Sequence, residues 1–327
     1  MAELNFTKGK RICKVIDSNI KSENGTEIYL YQSDYKCCLE CNSKCNSKKK
    51  CCPQCAKVEY HNKEQVEPKN SNDMLDKLLK ILINENYNKR EIESIINEKY
   101  DDSVVGDGLK GANVKKDKII LRSGKFQIIP SNVYGQPDCI YFVGRAGSGK
   151  TFALAEYLRE FRKYYPKYRV YLFSQKSEDK LLDKLIDKRI PLDQLEEANF
   201  EADNFKETMV IFDDVDVISD KKQEKATFDL INKILEVGRS YNIFSCLTMH
   251  LPCNGNQTKR LINRCTHFMY FKNSSNHGTD YALKEYFGIS NDELKKLHKL
   301  NNRSVCIIRE CPQLIISNDL ICFQNSL

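Results

Sequence analysis

Tryptophan is missing from the 327 residues, and this absence excludes no function. Two other absences say more. No apolar run approaches the roughly 18–20 residues that cross a bilayer, so a helical membrane span is not expected. The opening Met1-Ala2-Glu3-Leu4-Asn5-Phe6-Thr7-Lys8 lacks the apolar stretch of a secretory signal, so an intracellular setting is expected. A strong charge imbalance is also lacking. The 52 basic and 45 acidic side chains leave +7, which permits a polyanionic partner without requiring one. Hydrophobic residues at 41% and charged residues at 30% exclude a disordered chain, and the length suggests about two domains. No internal repeat is present.

Cysteine is abundant: seven of the 15 fall between Cys37 and Cys55. In a reducing compartment such a cluster reads as metal ligation rather than a disulfide framework. Cys38-x-x-Cys41 and Cys52-x-x-Cys55 form two pairs, the arrangement of a Cys₄ zinc site, although the gap between them is shorter than in the usual ribbon. Cys37, Cys45, Cys51 and His61 offer other ligand sets, and free thiols in a linker are the alternative. Lys48-Lys49-Lys50 suits an acidic or phosphate partner or a solvated face.

Three regions are expected. Residues 1–70 hold short β-rich runs, such as Glu27–Tyr31 after the Asn24-Gly25 turn, and then the cysteine module. Residues 71–117 hold two amphipathic helices, one with Leu75, Leu78, Leu79 and Leu82. The other opens on the Asn88/Glu91 capping box and carries Ile92, Ile95 and Ile96. A polar linker from Asp101 to Asp117 follows. Residues 118–327 alternate strands and helices, which predicts an α/β domain with a mostly parallel sheet. The expected elements are a hairpin over Lys118–Pro130, strands at Cys139–Val143, Arg169–Ser174, Met209–Phe212, Ile243–Met249 and His267–Phe271, and helices at Phe152–Tyr164, Lys180–Lys188 and Ala226–Val237.

Within that domain Gly144-Arg145-Ala146-Gly147-Ser148-Gly149-Lys150-Thr151 fits the phosphate-loop pattern G-x-x-x-x-G-K-[ST] between a strand and a helix. Glycines let backbone N–H groups turn toward phosphate oxygens, and the helix that follows adds its positive dipole end. Lys150 would reach the β- and γ-phosphates, and the Thr151 hydroxyl would bind Mg²⁺. Further along the chain, Met209-Val210-Ile211-Phe212-Asp213-Asp214 is a buried strand ending in two acids. Asp213 is assigned to the metal and Asp214 to polarising the attacking water. Asp216 and Asp220 read as surface charges. No Asn-Lys-x-Asp or Thr-Lys-x-Asp segment of a GTPase occurs, so ATP is favoured by default.

The combination resembles the FtsK/HerA superfamily, and within it the genome-packaging ATPases of nucleocytoplasmic large DNA viruses (the poxvirus type) and virophages. The resemblance rests on Val143–Thr151, Tyr171-Leu172-Phe173-Ser174, Val210-Ile211-Phe212-Asp213-Asp214, Leu235-Glu236-Val237-Gly238-Arg239 and Thr248-Met249-His250. It continues through Thr258-Lys259-Arg260-Leu261-Ile262-Asn263 and Asn302-Arg303-Ser304-Val305 with Pro312, and covers roughly Lys118 to Cys322. It implies a three-layer RecA/FtsK-like P-loop domain of the ASCE type, with an extra strand between the two Walker elements. It also implies an ATP-driven motor, acting as a homo-oligomeric ring, that moves double-stranded DNA into a viral capsid together with other packaging components. The expected location is the host cytoplasm or the virion.

His250, at the end of the extra strand, would sense the γ-phosphate or is a loop histidine. Bacterial FtsK-type motors usually have glutamine there, and often glutamate where Asp214 stands. Arg239 is a candidate arginine finger for a neighbouring subunit, or a helix-end arginine that favours the dipole. Arg260 and Arg264 are weaker finger candidates and with Lys259 would otherwise face nucleic acid. Rival functions are a helicase or recombination motor, a small-molecule P-loop kinase, for which no arginine-rich lid is present, and a zinc-bearing adaptor with a regulatory ATP site.

Overall fold

A computed structural model describes residues 2–32, 109, 112–133, 135–253, 255–272, 277–300 and 302–327. The two helices expected within 71–100 and the whole cysteine cluster, including Cys38, Cys41, Cys52 and Cys55, lie outside these residues.

The strands are β1 (Glu3–Asn5), β2 (Lys10–Ile16), β3 (Glu27–Tyr31), β4 (Ala112–Val114), β5 (Lys118–Leu121), β6 (Lys125–Ile128), β7 (Cys139–Val143), β8 (Arg169–Ser174), β9 (Lys188–Pro191), β10 (Thr208–Asp213), β11 (Phe244–Met249), β12 (His267–Phe271), β13 (Ser304–Ile308), β14 (Leu314–Ile316) and β15 (Leu320–Phe323). The helices are α1 (Lys150–Tyr164), α2 (Leu195–Ala198), α3 (Lys221–Tyr241), α4 (Gly255–Arg264), α5 (His277–Phe287) and α6 (Asn291–Lys299).

Among the described residues, eleven strands form one sheet in the order β4-β5-β15-β14-β13-β12-β7-β11-β10-β8-β9. From β9 to β12 every pairing is parallel, and from β12 outward every pairing is antiparallel. The parallel half takes this form because each of its crossovers is long enough to return the chain to the same end of the sheet. Its central strands are buried on both faces, so they read as continuous apolar runs rather than alternating ones. Successive residues still face opposite layers. Tyr141, Val143, Val210 and Phe212 join the core under α3, α4, α5 and α6, while Ile140, Phe142, Met209 and Ile211 join the core under α1.

Three expectations change. Lys118–Leu121 and Lys125–Ile128 are not a hairpin: β5 pairs with β4 and β15, whereas β6 pairs with β2. Gly124, at φ +82, turns the chain from one sheet into the other. A Cβ added there would meet the Ile16 carbonyl oxygen at 2.7 Å, so only glycine fits without displacing backbone. The polar run to Asp117 is not wholly a linker, since β4 lies within it as the edge of the large sheet. Lys180–Lys188 is not a helix. Asp179 Oδ1 accepts the N–H groups of Leu181 and Leu182, a local arrangement that competes with helix formation. The chain then has to leave as β9, in parallel register with Tyr171–Ser174.

The N-terminal residues are built onto the phosphate-loop half rather than set apart from it. Strands β1, β3, β2 and β6 form a second, antiparallel sheet whose Ile12, Val15, Ile28 and Leu30 pack with Leu154, Leu158 and Phe161 of α1. Lys14 Nζ reaches Glu160 at 2.7 Å, the Arg11 guanidinium lies 3.6 Å from the centre of the Tyr164 ring, and the Tyr164 hydroxyl donates to Glu27. Helix α1 is therefore held between two sheets. The expected division at residue 70 does not separate these strands from the domain they pack on.

His267 gives this packing a pH dependence. It is buried at the start of β12, 2.8 Å from Thr266 Oγ1, and burial pushes its ring down to about 4 from its ordinary 6.5. The unfolded chain takes up the proton first as pH falls. This contribution is therefore complete above about pH 6.5 and shrinks toward about pH 4, by roughly 3 kcal/mol in all. Thermal stability of the native chain should fall more steeply between about pH 7 and about pH 4.5 than that of His267→Gln. Parallel pH profiles for the two proteins would reject the assignment.

Candidate nucleotide site

In the parallel half the strand order β7-β11-β10-β8 places β11 between the phosphate-loop strand and the acid-bearing strand. All four point the same way, so Gly144, His250, Asp213 and Ser174 emerge at one edge although they are far apart in sequence. This edge of an open α/β sheet, beyond the carboxyl ends of the strands, is where ligands bind.

The loop from Gly144 to Thr151 turns over the start of α1. Gly147 at φ +75 and Gly149 at φ +111 adopt conformations that side-chain-bearing residues rarely hold. Arg145 and Ala146 are exposed, Thr151 is half-buried, and Lys150 is buried. Lys150 Nζ donates to the Gly144 carbonyl at 2.6 Å and lies 3.6 Å from Asp214 Oδ1. Among the described residues Ser148 Oγ is buried with no hydrogen-bond partner, an orphaned polar atom inside the curl of the loop. Such an atom, together with the free N–H groups of the helix start, fits a phosphate oxygen.

The two acids differ in kind. Asp213 is buried: its Oδ1 accepts from Thr248 Oγ1 at 2.8 Å, and its Oδ2 lies 3.4 Å from Ser174 Oγ and 3.2 Å from Lys176 Nζ. Asp214 has turned into the left-handed region, at φ 51, which sends its carboxylate away from the strand axis toward Lys150. Burial raises the Asp214 carboxyl, but the hydrogen bond from Lys176 at 2.9 Å and the charges of Lys150, Lys176 and His250 together hold it below its ordinary range. Opposite charges nearby outweigh desolvation here. The same contacts raise Lys176 against the opposing effect of its own burial. The carboxylate of Asp213 with the nearby hydroxyls is a hard-oxygen set suited to Mg²⁺, which keeps several waters and takes the remaining oxygens from phosphates. Among the described residues no cluster of three or more His, Cys, Asp or Glu suited to a metal occurs.

His250 stands beside these acids. Its backbone N–H donates to Asp216 Oδ2 at 2.7 Å, and its Nδ1 is 3.3 Å from Asp216 Oδ1 and 3.9 Å from Asp214 Oδ1. Because a carboxylate accepts only, this pairing calls for a proton on Nδ1. Asp216 is thus not the surface charge its sequence context suggests. A 3₁₀ turn over Val215–Val217 folds it under the end of β11, where it also accepts the Leu251 N–H at 3.0 Å. Asp220 is exposed, as expected, and caps α3 by accepting from the N–H groups of Lys222 and Gln223, two donors that the helix itself leaves unpaired.

Arg239 is not brought to this cluster. It is exposed in the last turn of α3, which runs from the acid-bearing edge to the opposite edge. At the helical rise per residue it lies about 27 Å of helix beyond Lys221. Within one chain it cannot touch the triphosphate that chain would hold. Arg264 is tied to α3, donating to the Leu235 carbonyl at 3.3 Å, whereas Lys259 and Arg260 of α4 are exposed.

Several residues at the site carried no assignment in the sequence. Thr248 is fully buried, donates to Asp213 and accepts the Asp214 N–H at 2.8 Å, so it fixes both acids. Its signals are its place one residue before the end of an apolar strand and its membership of the Thr248-Met249-His250 segment, neither of which gives it a role. Lys176 follows β8 and has no motif to announce it. Arg303 lies in the Asn302–Val305 segment. Its Nε donates to the Ser148 carbonyl at 2.7 Å and its Nη2 lies 3.5 Å from the Gly147 carbonyl, clasping the loop from outside.

No family model matches the chain. Among solved structures it is similar to the genome packaging NTPase B204 of Sulfolobus turreted icosahedral virus 2 in complex with ATP-gammaS. That likeness is at 14% identity and a TM-score of 0.39, covering 56% of this chain and 97% of that one. The pCW3 conjugation coupling protein TcpA is similar at 12% identity and a TM-score of 0.38, covering 64% and 68%. In sequence the chain is 31% identical over 204 residues to the uncharacterized protein V3 of Sputnik virophage, an alignment covering 61% of this chain and 82% of that protein. Identity at that level over most of V3 shows a shared family: the chain belongs to the family of virophage protein V3.

Proposed function

We propose that this protein is a Mg²⁺-dependent ATPase whose hydrolysis drives double-stranded DNA into a viral capsid. One observation supports the hydrolytic part above the others: Lys150 and Asp214 meet at 3.6 Å beside a buried Asp213 that Thr248 holds in place. Lys150 draws negative charge from the phosphates as it develops, and preorganised groups of this kind often contribute more to catalysis than any other effect. Asp214, kept ionised by its lysine neighbours, accepts a hydrogen bond from the attacking water and so orients it. Thr151 and Asp213 would hold Mg²⁺, which when bound neutralises phosphate charge. His250 would register the γ-phosphate with a proton on Nε2, because phosphate oxygens accept hydrogen bonds and do not donate them.

The motor part rests on the resemblance to packaging ATPases. In a ring, Arg239 at the far edge of one subunit would complete the site of the next. Lys259 and Arg260 would then meet DNA phosphates, giving binding that weakens steeply with salt and depends little on sequence. Turnover of the purified chain with and without long duplex DNA, followed against protein concentration, tests this. DNA stimulation that rises faster than linearly with protein concentration is expected. Turnover indifferent to DNA at every concentration would remove the motor and leave a simple ATPase, and duplex unwinding would point to a helicase instead.

A further inference from the structure

The acids and the histidine lie on one side of β7, at the ends of β10 and β11. On its other side, toward β12 and β13, lies a cavity of about 260 Å³ that reaches the phosphate loop. Its inner wall is apolar, with Phe142, Met269, Cys306 and Ile316, and its outer wall is the first turns of α1. Strand β6 of the small sheet closes it, bringing Gln127 to the lining.

Two features at its rim stand out. Phe152 follows Thr151 directly, lines the cavity, and is 53% exposed, a large ring that no described residue covers beside a loop built for phosphates. Arg303 lines the same cavity while its guanidinium grips the Ser148 carbonyl, so it joins the cavity to the loop. A triphosphate whose γ end met Asp213 and Asp214 would run across the loop, and its sugar and base would fall on this opposite side.

We infer that the cavity between α1, β6 and the β12–β13 side of the sheet receives the nucleobase, with Phe152 stacking on it and Arg303 positioning the loop beneath. The inference rests on the phosphate-loop reading above and adds where the base goes. It also gives the N-terminal sheet a part in nucleotide binding, through β6.

Titration of the full chain with Mg²⁺ and either ATP or inorganic tripolyphosphate tests it. Phe152→Ala should weaken ATP binding about tenfold, as loss of base–aromatic stacking does, and leave tripolyphosphate binding unchanged. Phe152→Tyr, which keeps the ring, should restore ATP binding. Wild-type ATP affinity in Phe152→Ala, or an equal loss for both ligands, overturns the base assignment while the phosphate loop stands. A native chain that binds neither ligand, or a Lys150→Ala chain that binds both as well as the native one does, overturns the phosphate-loop reading and this inference with it.

Discussion

Lys150→Ala should lower ATP turnover by on the order of 10²–10³-fold or more, the range seen when one preorganised charge-stabilising donor is removed. The ammonium is buried, and two other cations among the described residues at the site are engaged: Lys176 bonds to the acids, and Arg303 holds the loop by its outer carbonyls. The substitution also leaves the Gly144 carbonyl without its 2.6 Å donor and removes one of the cations near Asp214. Single-turnover and steady-state rates on the purified variant, with circular dichroism to show that it is folded, measure the effect. Native rates from a folded Lys150→Ala protein would dismiss the site.

The second large effect is expected from Asp214→Asn. Asparagine tolerates the left-handed backbone that Asp214 adopts, so the turn into Val215–Val217 should survive. What goes is the negative charge that orients water and binds Lys176. Loss of a group acting on a proton in the transition state costs about 10²–10⁴ in rate, and this should fall on kcat. ATP affinity should stay the same or improve, because a carboxylate facing a γ-phosphate repels it in the ground state. A fall in affinity with kcat intact would instead make Asp214 a binding residue.

Much of the phosphate site was legible because its parts are local. The loop needs glycine at fixed offsets, a strand before it and a helix after it, and all three lie within Cys139–Tyr164. The strands at Cys139–Val143, Arg169–Ser174 and His267–Phe271 follow from short apolar runs, and they match the structure in their bounds. Asp213 and Asp214 were legible as the end of one such run. Lys176 and Arg303 were not. Each depends on a surface loop meeting a distant strand, and neither is announced by a period or a spacing.

The sequence by itself determined most of the strands and helices in the parallel half, and that a glycine loop and a pair of acids end two of those strands. Both are matters of side-chain period and backbone freedom over a few residues. Only the tertiary structure decided that β11 runs between β7 and β10, which puts Thr248 onto Asp213 and His250 beside Asp214. It also decided that β5 and β6 part into different sheets, and that residues 2–32 brace α1. Pairing between strands tens of residues apart is set by which apolar faces bury one another best, and that competition is settled only when the whole chain is packed.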